Sequence, residues 1–288
     1  MADAAGLSRL PDLTPRAGMP LGARVPRLVA TDLDGTLLRS DGTASQRTGR
    51  VLRAVQAAGI RIVLVTARPP RWLDALVSIV GDGGVAICGN GAFVYHVPTR
   101  EVLSHKGIGP GQVAAIVADL RREIPGVTFA AERASGFGME EGYLDLHPMP
   151  PDAVRGPIEG LTGESVGKLL GRHPTLSETE FLDAVERVVG ERGIVAYSGA
   201  GGLAEISAPG VTKATALATW CTDLGIDAAD VWAFGDMPND LPMFTWAGTA
   251  FAVRGAHPDV LAAADHVIPG NDEDGVAVTL EAMLDGLH

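Results

Sequence analysis

The sequence has few cysteines, few aromatic residues and no long apolar run. Cys88 and Cys221 are the two cysteines among 288 residues, and neither has a closely spaced partner. This excludes a disulfide framework and a thiolate metal site, so we expect both thiols to be small buried side chains. No run of about 18 apolar residues is present that would predict a membrane span, and residues 1–27 lack the apolar segment of a signal peptide. We therefore expect a cytoplasmic protein without a membrane partner.

Positive charge is also scarce. The chain has 35 Asp and Glu residues against 23 Lys and Arg residues, which gives a formal net charge of -12. Because affinity for nucleic acids and anionic membranes comes from clustered cations, this balance argues against both as partners. It does not exclude a small anionic substrate. Apolar residues make up 46% of the chain, which is ordinary for a globular protein and argues against disorder.

Short apolar strands alternate with amphipathic helices in the first and last parts of the chain. The predicted strands are 27–31, 60–66, 85–88, 231–235, 249–253 and 267–268, and the predicted helices are 45–58, 71–80, 212–224, 241–247, 257–264 and 275–284. This alternation predicts right-handed crossovers and a parallel sheet covered on both faces. The expected fold class is α/β, with a doubly wound, Rossmann-like core.

The rhythm changes between these two parts. Strands 92–96 and 101–105 predict a hairpin, followed by helices 111–124 and 178–189 and by strands 127–132, 166–170, 194–198 and 204–207. We therefore predict a discontinuous core domain, residues 25–89 and 206–288, with an α+β cap domain inserted at residues 90–205. Residues 1–24, rich in Pro, Gly and Arg, are predicted to be a flexible tail.

The strongest chemical signal directly follows the first strand and reads DLDGT. Asp32 and Asp34 are two residues apart, so on an extended chain both carboxylates lie on one side, at the strand end where parallel sheets bind ligands. One carboxylate would suit a divalent cation and the other a nucleophile or acid. A calcium loop is the alternative, but Thr36, Leu37 and Thr43 occupy three of the positions where its ligands or its glycine belong. A plain surface turn is the structural alternative.

Three further polar clusters follow or precede apolar segments. They are Thr66-Ala67-Arg68, Gly210-Val211-Thr212-Lys213 and Gly235-Asp236-Met237-Pro238-Asn239-Asp240. A lysine in the first turn of a helix opposes the helix dipole, so Lys213 is better explained by an anion that it contacts. In one parallel sheet, such clusters would converge on a single crevice.

The order DLDGT, TAR, GVTK and GDMPND resembles the four motifs of haloacid dehalogenase superfamily phosphatases. The insert between the second and third motifs, and Asn90-Gly91-Ala92 at its entry, are similar to the Cof-type subfamily with a large α/β cap, the type IIB-like arrangement. The resemblance covers residues 25–287. One position departs from the pattern, since Ala67 stands where many relatives carry Gly.

The resemblance implies a role for each motif. It implies that Asp32 is the nucleophile and that Asp34 is the acid and base. It implies an Mg²⁺ cofactor held by Asp32, the backbone carbonyl of Asp34 and Asp236, with Asp240 supporting these ligands. The implied phosphate and substrate contacts are Thr66, Lys213, Asn239, Arg68 and the backbone at Leu33 and Ala67, and the implied hinge of the cap is Asn90.

The implied function is Mg²⁺-dependent hydrolysis of a small phosphorylated metabolite, such as a sugar, polyol or cofactor-type phosphate, through an aspartyl phosphate. A phosphomutase or phosphotransferase on the same scaffold and a non-catalytic regulator that binds a phosphate ligand are the alternatives. The sequence leaves the oligomeric state open.

Charge alone predicts that the metal is needed for binding. The four aspartates of the motifs carry four negative charges and Lys213 and Arg68 return two, so the metal-free crevice has a net charge of -2. A phosphate ester is repelled by that charge, and one Mg²⁺ cancels it.

Weaker motifs have plainer explanations. Residues 199–204 (GAGGLA) match a dinucleotide fingerprint, but the strand that follows favours a hairpin turn. Gly167-Lys168 lacks the other residues of a Walker loop. Residues 143–147 could line the substrate side of the cap, whereas Met139 and Met149 are expected to pack.

Overall fold

The computed structural model describes residues 24–81, 83–144, 149–161, 163–196 and 201–287. The predicted tail at residues 1–24 therefore lies outside the described residues, except for Arg24. The strands are β1 (Leu28–Thr31), β2 (Arg61–Val65), β3 (Val85–Cys88), β4 (Phe93–His96), β5 (Glu101–His105), β6 (Thr128–Arg133), β7 (Gly136–Met139), β8 (Val154–Arg155), β9 (Val166–Arg172), β10 (Ile194–Ala196), β11 (Leu203–Ser207), β12 (Val231–Gly235), β13 (Thr249–Val253) and β14 (His266–Ile268). The helices are α1 (Gln46–Ala57), α2 (Val77–Val80), α3 (Pro110–Glu123), α4 (Ile158–Leu161), α5 (Glu178–Val189), α6 (Lys213–Asp223), α7 (Leu241–Trp246), α8 (Pro258–Ala263) and α9 (Gly275–Asp285).

The larger sheet has eight strands in the order β14-β13-β12-β1-β2-β3-β4-β5. The strands from β14 to β3 run parallel. The chain proceeds from β1 to β3 in one direction and from β12 to β14 in the other, so the topological switch point lies between β1 and β12. This confirms the doubly wound, Rossmann-like α/β core and places the expected ligand crevice beyond the carboxyl ends of these two strands.

The central strands are buried because their sequences are almost wholly apolar. Every residue of β1 and of β12 is buried, as is usual for parallel strands covered on both faces. α1 begins where the Ser45 side chain accepts a hydrogen bond from the Thr48 N–H, and Val51, Leu52 and Val55 join the core. Local sequence therefore accounts for the elements nearest the switch point.

The hairpin of β4 and β5 belongs to the larger sheet, which corrects one prediction. We predicted it as the start of the insert at residue 90, but β4 pairs antiparallel with β3, and β5 forms the edge beside β4. A hairpin sequence specifies its own turn but not the sheet that its outer strand joins, so the prediction was wrong. The chain passes to the second sheet after His105 and returns after Ser207.

The second sheet has six strands in the order β10-β11-β9-β6-β7-β8. Its pairs are antiparallel except for β7 with β8. α3 and α5 pack on it around a core that contains Phe129, Leu169 and Phe181. This sheet and its helices form the predicted α+β cap without the hairpin, and β7, β8 and α4 were not predicted.

One helix is shorter than predicted. We expected a helix at residues 71–80, but Pro70–Trp72 and Asp74–Leu76 form single 3-10 turns and α2 contains only Val77–Val80. Pro69 is extended because another proline follows it, which disfavours the helical conformation there. Among the described residues, no helix is long and apolar enough to span a membrane.

The two sheets approach each other at glycines. Phe93 on β4 lies against Gly167 on β9, where an added Cβ would come within 2.2 Å of the ring. At Gly107, an added Cβ would lie 2.4 Å from the carbonyl oxygen of Val166. A side chain at Gly167 would push β9 of the cap away from Phe93 of the core, and one at Gly107 would disturb the contact of this connection with Val166.

Candidate active site

The four motifs meet at the switch point of the larger sheet. Asp32 follows β1, Thr66 follows β2, Asp236 follows β12, and Lys213 is the first residue of α6. Their convergence agrees with the topology expected from the strand ends. The described residues near this point form one centre.

Lys213 lies at the centre of the site. Its Nζ donates to Asp32 Oδ1 at 2.5 Å and to Asp240 Oδ1 at 2.7 Å, and the lysine is 2% exposed. α6 begins here because the side chain of Thr212 accepts the N–H of Thr215. The two carboxylates thus stabilise a cation at the helix end where the dipole opposes it.

Asp240 holds both Lys213 and the backbone of its own loop. Its Oδ2 accepts the N–H groups of Asp236 and Met237, each at 3.1 Å, and the residue is fully buried. An added Cβ on Gly235 would lie 2.6 Å from the carboxyl carbon of Asp240, so only glycine fits there. Both oxygens of Asp240 therefore already accept hydrogen bonds from the protein, which suits the supporting role predicted for it.

Asp236 is held against the DLDGT loop. Thr36 Oγ1 donates to Asp236 Oδ1 at 2.7 Å. Gly35 has a φ of 79°, and an added Cβ would lie 2.4 Å from Asp236 Oδ2. Gly35 and Thr36 thus bring the first motif into contact with Asp236 of the fourth motif. The sequence pattern alone did not explain this role of the two residues.

Three carboxylates are close enough to share a cation. Asp32, Asp236 and Asp240 each offer an oxygen, and these atoms lie within 4.8 Å of one another. Carboxylate oxygens are the ligands that Mg²⁺ prefers in proteins. Since three buried or half-buried carboxylates surround one ammonium, the set lacks positive charge and fits a divalent cation.

Asp34 points elsewhere. Its side chain is 56% exposed and forms a bidentate ion pair with Arg68, with Nε to Oδ2 at 2.8 Å and NH2 to Oδ1 at 2.5 Å. The Asp34 carboxyl group therefore does not belong to the set formed by Asp32, Asp236 and Asp240. This is compatible with the prediction that Asp34 contacts a metal through its backbone carbonyl. The predicted substrate contact of Arg68 stays a prediction.

The remaining core residues lie around the same crevice. Thr66 Oγ1 accepts the N–H of Arg68 at 3.1 Å, and the Thr66 carbonyl accepts the N–H of Asn90 at 3.0 Å. Asn239 Nδ2 donates to Asn90 Oδ1 at 3.3 Å. Asn90 therefore connects the second and fourth motifs, away from the two passages between the sheets, and its hinge role stays a prediction.

The side chain of Leu33 is fully buried, so only its backbone can face a ligand. Ala67 lines the crevice beside Thr66 and Arg68. The alanine that replaces the usual glycine is thus accommodated at the crevice wall.

Burial and mutual repulsion change the acidity of the site. Burial raises the pKa of Asp32, Lys213 lowers it, and the balance lies above its ordinary value. Burial lowers the pKa of Lys213, but Asp32 and Asp240 overcome this effect and raise it. Burial also raises the pKa of Asp236, to about 6, although the hydrogen bond from Thr36 opposes the shift. The metal-free centre therefore retains protons that a bound cation would displace.

A cavity of about 840 Å³ extends from this centre to the cap. Its lining includes several residues that the sequence analysis did not assign to a site, namely Arg71, Trp72, Glu132, Lys168, Leu170, Arg172, Leu203 and Glu205. Lys168, Leu170 and Arg172 are every second residue of β9, and side chains at that spacing lie on the same face of a strand. This spacing could have indicated from the sequence that they share a face. Tyr143 lines the cavity, as the sequence analysis suggested for residues 143–147, whereas residues 145–148 lie outside the described residues.

The doubly wound sheet has several carboxylates at its switch point. This combination is typical of α/β enzymes whose active site is built around carboxylates. Residues 29–280 match the family model of haloacid dehalogenase-like hydrolases. The chain belongs to this family, in its Cof-type branch with a large α/β cap. It is a hydrolase of phosphoric monoesters.

Individual relatives share most of the chain. YxeH of Bacillus subtilis strain 168 is 30% identical over 274 residues, which cover 90% of this chain and 98% of YxeH. The HMP-PP phosphatase of Cronobacter sakazakii is 28% identical over 270 residues, which cover 91% of this chain and 97% of that protein. The solved structure of TM0651 from Thermotoga maritima gives a TM-score of 0.75 at 23% identity and covers 90% of this chain and 97% of its own.

Proposed function

We propose that the protein hydrolyses phosphate monoesters of small metabolites in two steps, with the phosphoryl group carried transiently on Asp32. The observation that carries the proposal is the buried ammonium of Lys213, which contacts Asp32 and Asp240 beside a third carboxylate. Relatives that are named as phosphatases, among them the HMP-PP phosphatase, support the same reaction class.

Mg²⁺ is the proposed cofactor, held by Asp32, the backbone carbonyl of Asp34 and Asp236. When bound, it neutralises negative charge on the nucleophile and on the phosphoryl group. Asp240 would keep these ligands in place through its hydrogen bonds to the backbone of Asp236 and to Lys213.

In the first step, an Asp32 oxygen attacks phosphorus in line with the ester oxygen. The bond from phosphorus to the ester oxygen breaks, and the leaving oxygen takes a proton from the Asp34 carboxyl group. In the second step, water attacks the phosphoryl group on Asp32 and gives its proton to Asp34. The bond from phosphorus to Asp32 breaks, which restores the carboxylate and releases inorganic phosphate.

The other residues of the motifs position the phosphoryl group. Thr66, Lys213 and Asn239 would bind its oxygens together with backbone N–H groups at Leu33 and Ala67. Arg68 would hold the ionised Asp34 through its bidentate contact, and one oxygen of Asp34 must leave the guanidinium before it carries the proton for the leaving group. Phosphoryl transfer requires positioning and charge neutralisation above all, which is what this set supplies.

Hydrolysis of an aryl phosphate with and without Mg²⁺ tests the proposal. We expect Mg²⁺-dependent turnover and a loss of kcat of about 10³-fold or more in Asp32→Asn. Asp259→Asn, which neutralises an exposed aspartate, is the matched control and should keep wild-type turnover. Metal-independent turnover, or an unaffected Asp32→Asn variant, would contradict the proposal.

Two further measurements separate the alternatives. Equal release of inorganic phosphate and of the alcohol indicates hydrolysis, whereas a deficit of phosphate in the presence of glycerol indicates transfer to another acceptor. Binding of inorganic phosphate in EDTA should be weak because of the negative charge of the crevice. Tight binding in EDTA would contradict the role of the metal in substrate binding.

A further inference from the structure

Lysine is rare in this chain, and two of its three lysines line one cavity. Lys106, Lys168 and Lys213 are the lysines, and the other basic residues are arginines. Lys106 is exposed, while Lys168 and Lys213 are each 2% exposed and both line the cavity between core and cap. Lys213 belongs to the catalytic centre, but the proposed reaction gives Lys168 no role.

Lys168 and Glu205 form a buried ion pair on neighbouring strands of the cap sheet. Lys168 Nζ lies 3.2 Å from Glu205 Oε2, and their side chains are 3% and 11% exposed. The same Nζ donates to the carbonyl oxygen of Ala67 at 3.1 Å. Because Ala67 stands between Thr66 and Arg68, this contact holds the pair beside the phosphoryl site.

Both head groups have hydrogen-bonding capacity left. An ammonium has three N–H donors, and a carboxylate accepts up to about four hydrogen bonds. Within the described residues, Lys168 Nζ donates its hydrogen bond to the Ala67 carbonyl, and Glu205 contacts Lys168 as an ion pair. A donor and an acceptor therefore face the cavity at one point.

Packing alone does not explain this pair. A buried ion pair is often less stabilising than an apolar pair of similar volume, and the same cavity wall already carries Leu170 and Leu203. A second pair, Arg71 with Glu132 at 2.8 Å, also lines the cavity. Arg172 lines the cavity as well. At the pair of Lys168 and Glu205 itself, an anionic group would meet the carboxylate and a cationic group would meet the ammonium, so a neutral polar group fits best there.

We propose that Lys168 and Glu205 form a leaving-group subsite that binds a hydroxyl close to the ester oxygen. A hydroxyl accepts a hydrogen bond from the ammonium and donates one to the carboxylate, which uses both free capacities at once. The proposal rests on the proposed function and names the feature by which the cap selects a substrate.

Paired esters of equal carbon number test the subsite. Glycerol phosphate is compared with propyl phosphate, erythritol phosphate with butyl phosphate, and ribitol phosphate with pentyl phosphate. For at least one pair, we expect kcat/KM to favour the hydroxylated ester by about tenfold or more, since the partners are charged and buried. No preference in any pair would overturn the subsite, whereas no turnover of any ester would overturn the proposed function as well.

Variants assign the preference to the pair. Glu205→Gln should lower kcat/KM for the hydroxylated ester more than for the alkyl phosphate and so reduce the preference, because a neutral amide binds the hydroxyl more weakly than a carboxylate does. Glu186→Gln removes the same charge from an exposed position of the cap and should change neither value. The double variant Lys168→Met with Glu205→Leu replaces the pair by apolar side chains that should preserve the fold, and it should lose the preference. If Glu205→Gln and the double variant each lower turnover of both esters in parallel, the pair has a structural role and the proposal is overturned.

Discussion

Replacing Lys213 with methionine removes the single ammonium between Asp32 and Asp240. Methionine has a similar length and fills the buried space, so the main change is the loss of charge. Two carboxylates then remain in a place where Lys213 is 2% exposed and Asp240 is fully buried. We therefore expect a loss of stability that depends on how far these carboxylates are ionised.

The structure sets the magnitude. At contacts of 2.5 and 2.7 Å, each attraction amounts to about 6 kcal/mol at an effective dielectric constant of about 20, before desolvation is subtracted. Removal of one partner of a buried pair costs about 3–5 kcal/mol, because the other charge stays uncompensated. That cost applies only when the carboxylates are ionised. Without Lys213, the pKa of Asp32 rises further above its ordinary value, since Lys213 lowers it in the wild type.

The pH dependence follows from this shift. A carboxyl whose folded pKa is raised binds more protons in the folded state, so the stability of the variant falls as pH increases. The deficit relative to wild type should be small near pH 4, where the unfolded carboxyls also hold protons, and reach about 3–5 kcal/mol near pH 8. Urea unfolding of metal-free wild type, Lys213→Met and the exposed control Lys106→Met at both pH values measures it. A deficit below about 1 kcal/mol at pH 8, or an equal deficit at both pH values, would refute the reasoning.

Three more predictions concern the metal and the junction with the cap. Mg²⁺ binding should release protons between about pH 5 and 7, because burial raises the pKa of Asp236 to about 6. Calorimetry in buffers of different ionisation enthalpy measures the release, and binding heats that do not depend on the buffer would contradict the prediction. Gly35→Ala should shift the Asp236 carboxylate, since the new Cβ would lie 2.4 Å from it, and should therefore weaken the rise of Tm with Mg²⁺. The control is Gly42→Ala, at an open site with a similar φ, which should leave the rise of Tm with Mg²⁺ unchanged. Gly167→Ala should lower kcat because the Cβ would meet the Phe93 ring, and Phe93→Leu in the same chain should restore part of the loss; no restoration would point to another cause.

The convergence of the motif residues at the candidate site could be predicted from the sequence because its geometry is local. A carboxylate that directly follows a parallel strand must lie at the carboxyl edge of the sheet, so Asp32 and Asp236 needed no knowledge of the tertiary structure beyond strand direction. Lys213 could be predicted from its unfavourable place in the first turn of a helix. What the sequence did not indicate is that Arg68 pairs with Asp34, because that contact depends on the side-chain positions of two different loops.

The cap was predicted less completely because its contacts are long-range. The hairpin of β4 and β5 joins the core sheet, a choice that depends on the free edge of β3. The cap side of the cavity depends on β9 and β11, which are antiparallel neighbours with Leu170 opposite Glu205. Lys168 lies on the same face as Leu170 because the two residues are two positions apart on β9. Its contact with Ala67 depends on how the cap packs on the core.

The other charged residues that line the cavity change its net charge. The four aspartates of the motifs, with Lys213 and Arg68, leave the metal-free core at -2 when all are ionised. The other charged residues that line the cavity, among those described, are Arg71, Glu132, Lys168, Arg172 and Glu205. Glu132, Lys168, Arg172 and Glu205 of the cap cancel one another, and Arg71 of the core adds one positive charge. With every group ionised, the cavity therefore has a net charge of -1 without a metal and would have +1 with Mg²⁺. When Asp32 and Asp236 are ionised, Mg²⁺ binding would therefore reverse the sign of the charge that a phosphate dianion meets in the cavity, and Arg71 makes that reversal possible with a single divalent ion. A chain with a net charge of -12 would thus attract an anionic substrate inside the Mg²⁺-loaded cavity rather than at its surface.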